Sequence, residues 1–376
     1  MLTDDARRTD FPSLAGRVYL NTAAEGIPPR QVIDALGEYA FDKTLGMDGR
    51  IRHEAKWRAA KDRTALAFGL ESDEVGICSS SSEAYILASL ALRLGEGDEV
   101  VINDLDFPAG VTPWLQPTCP ATVRLWRSRD GALRVEDLIP LLNRNTRLVT
   151  VSLVSFFNGY RVPVRAITEA IRQHSPSLLA VDATQALGRI PLELQDVDLI
   201  VSSTHKWILA SHGGGLVGVP RRRAEQLTVR AGGWFNLENA FAPDRFERTV
   251  TRSGAASFMA GMPNYPAIYA IEAGLSYVQD VGVAAIDEYA RPLVRACLAG
   301  LKRLSVDVIT PDEPDALAGI VAVRHPDSAR LNRALHAEDV HIMEHAGRLR
   351  VSIHGYNTLQ DVERFLHTLG QALRRG

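Results

Sequence analysis

From about residue 74 the chain alternates short runs of Val, Ile and Leu with stretches whose apolar positions recur at helical spacing. EVGICS (74–79), EVVIN (99–103), TVRLWR (122–127), RLVTVSLV (147–154), LLAVDA (178–183), VDLIVSS (197–203) and GLVGV (215–219) predict strands. Several of them lack polar–apolar alternation, as parallel strands covered by helices on both faces do. SEAYILASLALRL (82–94) predicts a helix with Ser82 as N-cap, and VRAITEAIRQHS (164–175) predicts a crossover helix. This order of elements predicts an α/β, doubly wound, mostly parallel sheet flanked by helices.

Past residue 220 the texture changes. AGGWFNLENAFAPDRFERTVTRSG (231–254) is rich in Gly, aromatic and charged residues, and a long helical pattern then resumes across 265–280. From there to residue 376, helical patterns alternate with strand-like DVIT, GIVAVRH and RLRVSIH, which predicts a smaller α+β C-terminal unit.

Composition narrows the class. The 376 residues are 46% hydrophobic and 23% charged with a formal net charge of -3, a globular balance without the basic excess of a dedicated nucleic-acid or anionic-membrane binder. No apolar run reaches the roughly 18 residues a spanning helix needs, and MLTDDARRTDFPSL lacks the apolar core of a signal peptide. Cys78, Cys119 and Cys297 are odd in number and scattered, which argues against a disulfide framework or a cysteine-based metal site, so no metal is expected. The expected setting is the cytoplasm.

In open α/β sheets ligands sit beyond the carboxyl ends of the strands. Asp182 and Gln185 follow LLAVDA, while Ser203, His205 and Lys206 follow VDLIVSS. The serine run 79–82 follows EVGIC and opens a helix, whose free N–H groups and dipole suit an anion. Lys206 is one of only five lysines, with Lys43, Lys56, Lys61 and Lys302. An acid, a lysine and a hydroxyl-rich helix start on one sheet edge are what pyridoxal 5'-phosphate needs: a Schiff-base lysine, a carboxylate for the pyridine nitrogen and donors for the phosphate. Taken singly, each has a plainer explanation as a loop cap, a solvated lysine or a polar turn. A nucleotide-binding alternative is weak, because no Gly-x-Gly-x-x-Gly joins a strand to a helix and Gly213–Gly215 leads into a strand.

VDATQALGRIPLELQDVDLIVSSTHKW resembles the central stretch of class V aminotransferase-fold enzymes, with Asp-x-x-Gln at Asp182 and Gln185, then Asp198, Ser203, His205 and Lys206. The resemblance extends through YLNTAAEGIPP (19–29), SSSSEA (79–84), FMAGMPN (258–264) and RVSIHGYNT (350–358). It implies a fold-type-I transferase with a seven-stranded sheet. Residues 1–30 would be an N-terminal segment contributing to the active site, 31–265 the large cofactor-binding domain and 266–376 a small C-terminal domain. It further implies that Lys206 is the catalytic Schiff-base lysine, that Asp182 holds the pyridine nitrogen and that Gln185 bonds the phenolate oxygen. Ser81, Ser82, Ser203 and His205 would surround the phosphate, Phe107 would stack on the ring, and Asn21 and Arg350 would bind an amino-acid substrate. A homodimer with shared sites is implied by the loop Gly261-Met262-Pro263-Asn264, where Met262 replaces the family's threonine.

Three departures set the expected reaction. HAEDVHIMEHAGRLR (336–350) has no cysteine where cysteine desulfurases carry their nucleophile, Phe107 stands where they place histidine, and Phe156 stands where they carry asparagine. The expectation is therefore an isopenicillin-N-epimerase-like enzyme doing C–S or β-elimination or epimerisation, not a persulfide-forming desulfurase. An aminotransferase and a non-catalytic binding protein are the alternatives. Lys206 would carry the proton at the α-carbon, with His205, His345 and Tyr160 behind it. Trp234, Phe235, Phe241 and Arg348, in loops 234–245 and 341–348, are candidates for contacting the substrate side chain.

Overall fold

The computed structural model describes residues 1–375. The seven runs expected as strands form one sheet: β1 (Val75–Cys78), β2 (Glu99–Asn103), β3 (Thr122–Trp126), β4 (Thr146–Ser152), β5 (Leu178–Asp182), β6 (Leu199–Ser203) and β7 (Gly215–Gly218). Their spatial order is β1-β7-β6-β5-β4-β2-β3. Every neighbouring pair is parallel except those involving β7, which runs antiparallel to both β6 and β1. All residues of β5 and β6 are buried, which explains their unbroken apolar sequence. The fold class is α/β with a mostly parallel central sheet, as expected.

Helix Ser81–Leu92 begins one residue earlier than expected, and its N-cap is Ser80 rather than Ser82: the Ser80 side chain accepts from Glu83 N–H at 3.1 Å. Any of the four serines can cap, and Glu83 decides by turning back to accept from Ser79 N–H at 2.6 Å. The shift leaves Ser81 and Ser82 in the first turn.

Helix Tyr265–Val281 packs against helices Arg30–Thr44 and Arg50–Phe68. Gly282, at φ +89, separates it from helix Val283–Arg303. Beyond lies a four-stranded antiparallel sheet of β8 (Asp307–Val308), β9 (Ile320–Arg324), β10 (Met343–His345) and β11 (Arg348–Ser352), in the order β10-β11-β9-β8. One face of β11, Leu349 and Val351, joins a core with Val321, Val323, Leu298 and Phe365. Arg348 and Arg350 alternate to the other face.

One feature fastens the N-terminal residues to the C-terminal unit, and a second fastens that unit to the main domain. Val18–Tyr19 pairs in parallel with Val340–His341, and the Asn21–Ser352 bridge continues that contact. Arg189, fully buried, reaches Asp287 at 2.9 Å and donates from Nε to the Ile353 carbonyl at 2.8 Å. Removing Asp287 would strand the buried Arg189 charge, whereas Asp287 has a second partner in Arg291.

Candidate active site

The carboxyl ends of β1, β5 and β6 converge on a cavity of about 230 Å³ lined by Ser79–Ser82, Phe107, Ser152, Phe156, Asp182, Thr184, Gln185, Ser203, His205, Lys206, His212 and Gly213–Gly214. Eight positions singled out in the sequence therefore meet in one cleft: Ser81, Ser82, Phe107, Asp182, Gln185, Ser203, His205 and Lys206.

Asp182 ends β5, 6% exposed. Burial raises its pKa, while hydrogen bonding with Thr184 and the charge of Lys206 oppose the rise. Its Oδ1 accepts from Thr184 N–H at 2.8 Å. Gln185 is held at both ends: its Nε2 donates to the Ala23 carbonyl at 3.0 Å, and its Oε1 accepts from the Trp207 indole at 2.7 Å.

Lys206 follows β6 in a turn locked from the opposite side. Gly26 N–H donates to the His205 carbonyl at 2.8 Å, and a Cβ on Gly26 would lie 2.0 Å from the Lys206 carbonyl oxygen. Only glycine lets residues 21–28 approach that turn so closely. The Lys206 ammonium sits 5.4 Å above the Phe107 ring centroid. Its pKa is pushed down to about 8, first by burial and then by the charge of Arg350, with Asp182 pulling the other way.

Around the helix start, Ser81 and Ser82 stand beside first-turn N–H groups that have no intrahelical partner. Ser203 Oγ, buried at the end of β6, has no hydrogen-bond partner. His205 stacks on His212 at 4.5 Å, and burial with the neighbouring Lys206 charge pushes its pKa down to about 4. His212 in turn lies 3.2 Å from Glu25.

Arg350 approaches from β11. It is 2% exposed and donates to the Phe156 carbonyl at 3.0 Å, leaving Nε without a partner. Burial and the charge of Arg348 push its pKa down to about 9. Asn21 Oδ1 is also buried and unpartnered.

These features suit pyridoxal phosphate. A buried carboxylate lies in one cleft with a lysine of lowered pKa that faces a flat aromatic ring, and orphaned hydroxyl and N–H donors gather at a helix start.

Other candidates fall elsewhere. Asp198 is at the opposite end of β6, buried under Arg172 at 2.6 Å and Arg223 at 2.7 Å, so it fastens the sheet rather than serving the cleft. Tyr160 donates to the Leu133 carbonyl at 3.1 Å in the core, and His345 is exposed on β10. Trp234 packs on Phe235 and Phe241, and none of the three is among the lining residues. Sequence reasoning missed Asp106, whose carboxyl accepts from Ser152 N–H at 2.6 Å and is pushed up to about 7, mainly by burial. The rule of inspecting polar residues beyond each strand, applied to EVVIN, points to it. His212 and Glu25 were missed as well, because their meeting depends on the close approach at Gly26.

The aminotransferase class-V family model matches residues 18–365. An uncharacterised aminotransferase of Bacillus subtilis is 27% identical over 94% of this chain and 93% of its own. A probable cysteine desulfurase of Pasteurella multocida is 29% identical over 95% of this chain and 89% of its own. The apo structure of a cysteine desulfurase from Thermococcus onnurineus superposes with a TM-score of 0.89 at 20% identity, covering 100% of this chain and 99% of that one.

These relatives correct one expectation. The epimerase-like or elimination reading, which excluded persulfide-forming desulfuration, does not stand beside curated relatives named cysteine desulfurase. That exclusion rested on a missing cysteine in 336–350 and on Phe107 and Phe156, a few positions set against similarity along most of the chain. The chain belongs to the class-V aminotransferase family and is a pyridoxal phosphate-dependent enzyme.

Proposed function

We propose that the protein is a cysteine desulfurase-like enzyme that removes sulfur from a cysteine-type α-amino acid and passes it to an acceptor thiol, giving alanine and a persulfide. The observation that carries this reading is the meeting of Lys206, Asp182 and the unpartnered Ser203 hydroxyl in one cleft, with Arg350 just behind its wall on the Phe156 carbonyl, in a chain whose curated relatives bear that name.

When bound, pyridoxal phosphate supplies the electron sink that stabilises charge developing at the substrate α-carbon. Asp182 would keep a proton on the pyridine nitrogen, and the positive charge there would hold this buried carboxylate ionised. Gln185 would bond the phenolate oxygen with its remaining N–H. Ser81, Ser82, Ser203, His205 and the first-turn N–H groups would hold the phosphate, with Phe107 against the ring face. Arg350 would grip the α-carboxylate through its planar fork, and Asn21 would accept from the substrate. Lys206, with a pKa near the working pH, suits the transfer of a proton at the α-carbon.

Incubation of the holoenzyme with L-cysteine and a thiol reductant tests the reading. Alanine and sulfide are expected in equal amounts. Pyruvate with ammonia in place of alanine, or no release of sulfur, would overturn it.

The same reading includes a cytoplasmic homodimer and the division into residues 1–30, 31–265 and 266–376. No helix among the described residues is long and apolar enough to cross a membrane. The dimer is supported by an apolar surface around the 261–264 loop. Met47 and Ile51 are 76% and 75% exposed, and Arg50 between them reaches Met262 Sδ at 3.5 Å. Sedimentation of wild type should give a dimer, and Ile51→Asp with Met47→Asp should give monomer with impaired turnover. A fully active wild-type monomer would refute the shared site.

A further inference from the structure

Arg348 lies behind Phe156, a residue of the cleft wall, and the reading above gives it no task. It is 3% exposed, and both its Nε and Nη2 lack a hydrogen-bond partner. Its guanidinium lies 4.3 Å from the Phe157 ring centroid and 5.5 Å from that of Phe156. Phe156 packs edge-on against Phe107 at 5.1 Å, and Phe107 carries the Lys206 ammonium at 5.4 Å. Aromatic contacts thus connect Arg348 to the reacting lysine.

A buried guanidinium whose nearest compensation is two ring faces is costly. Burial lowers its pKa, and its charge in turn lowers that of Arg350, so the two cations repel each other in the free protein. An anion arriving beside them would offset both the burial and the repulsion through charge-assisted hydrogen bonds. Arg348 and Arg350 sit two residues apart on the same face of β11, roughly 6.6 Å along the strand. That spacing suits two anionic groups on one short molecule.

We propose that Arg348 binds a second anionic group, at the side-chain end of the substrate, so that the preferred cysteine-type substrate is a dianion. This rests on the reading of the cleft as an amino-acid site with Arg350 on the α-carboxylate, and adds the chemical class of the side chain. The second anion is either a distal carboxylate or an oxidised sulfur group, since both present two anionic oxygens on one atom to a guanidinium fork.

Unreactive probes separate binding from turnover. Titration calorimetry of the holoenzyme with propionate, succinate and 3-sulfopropionate compares one carboxylate with two kinds of dianion. At least one dianion is expected to bind roughly 10- to 100-fold tighter than propionate, from charged hydrogen bonds to a buried arginine. The tighter of the two identifies the side-chain anion. Arg348→Gln and Arg348→Met should bring the preference below about threefold. Their melting temperatures should equal or exceed that of wild type, because an uncompensated buried charge has been removed. Equal binding of all three probes by wild type, or an unchanged preference in a folded variant, would overturn the proposal. If the dianion preference holds while cysteine releases no sulfur, the desulfurase reading falls and the role of Arg348 stands.

Discussion

Lys206→Ala is expected to lower turnover by about 10⁴-fold, the upper range for loss of a positioned proton carrier, while leaving the fold intact. The side chain lines the cleft and makes no hydrogen bond that the core depends on; the turn is fixed instead by backbone contacts to Gly26 and Leu209. Its pKa gives the prediction a second readout. Covalent capture of pyridoxal phosphate by the apoprotein requires the neutral amine. With the pKa pushed down from 10.5 to about 8, capture should accelerate about tenfold per pH unit below 8 and level off above it. A solvated lysine would keep accelerating for two further units. Arg350→Ala removes a like charge and should move the midpoint upward. A Lys206→Ala protein retaining a tenth of wild-type turnover would place the chemistry elsewhere.

Arg350→Ala is expected to reduce kcat/KM on the amino-acid substrate by roughly 30- to 1,000-fold, the loss of about 2–4 kcal/mol of buried charge-assisted contact. The guanidinium is already in place: it is buried, steadied by the Phe156 carbonyl, and has Nε free. Cofactor capture should survive, because Arg350 is not among the groups read as holding the phosphate or ring. Arg350→Lys should recover little, since a point charge cannot reproduce a planar fork. Asp182→Asn should act differently, impairing turnover with far less effect on carboxylate recognition. Steady-state kinetics on the three variants check this, and near-normal kcat/KM for Arg350→Ala would move the carboxylate to another residue.

The parts of this picture legible in the sequence are those set by local physics. Apolar-rich runs marked all seven sheet strands within a residue or two; β5 and β6 are unbroken because burial on both faces leaves no room for polar positions, whereas TVRLWR forms the mostly exposed edge strand β3. The meeting of Asp182, Ser203 and Lys206 followed from the rule that chemistry gathers beyond parallel strand ends. What stayed hidden depends on distant approach. The reversed direction of β7 is set by how residues 204–214 cross the sheet edge, which no local pattern encodes. The cap at Ser80 was decided by Glu83 among four equivalent serines. Arg348 was visible as a residue near the substrate end, but its lack of a partner emerges only when the sheet carrying β11 is laid against residues 156–157. The reaction type was misjudged because an absent cysteine and the phenylalanines at 107 and 156 were weighed more heavily than the remainder of the chain.

The central claim is that Lys206, beside Asp182 at the strand ends, carries the cofactor. Borohydride reduction of the holoenzyme, followed by proteolysis and mass mapping, tests it most directly. A single pyridoxyl label is expected on the peptide containing Ser203, His205 and Lys206, at Lys206. A label on Lys43, Lys56, Lys61 or Lys302, or no label on a fully loaded protein, would contradict it.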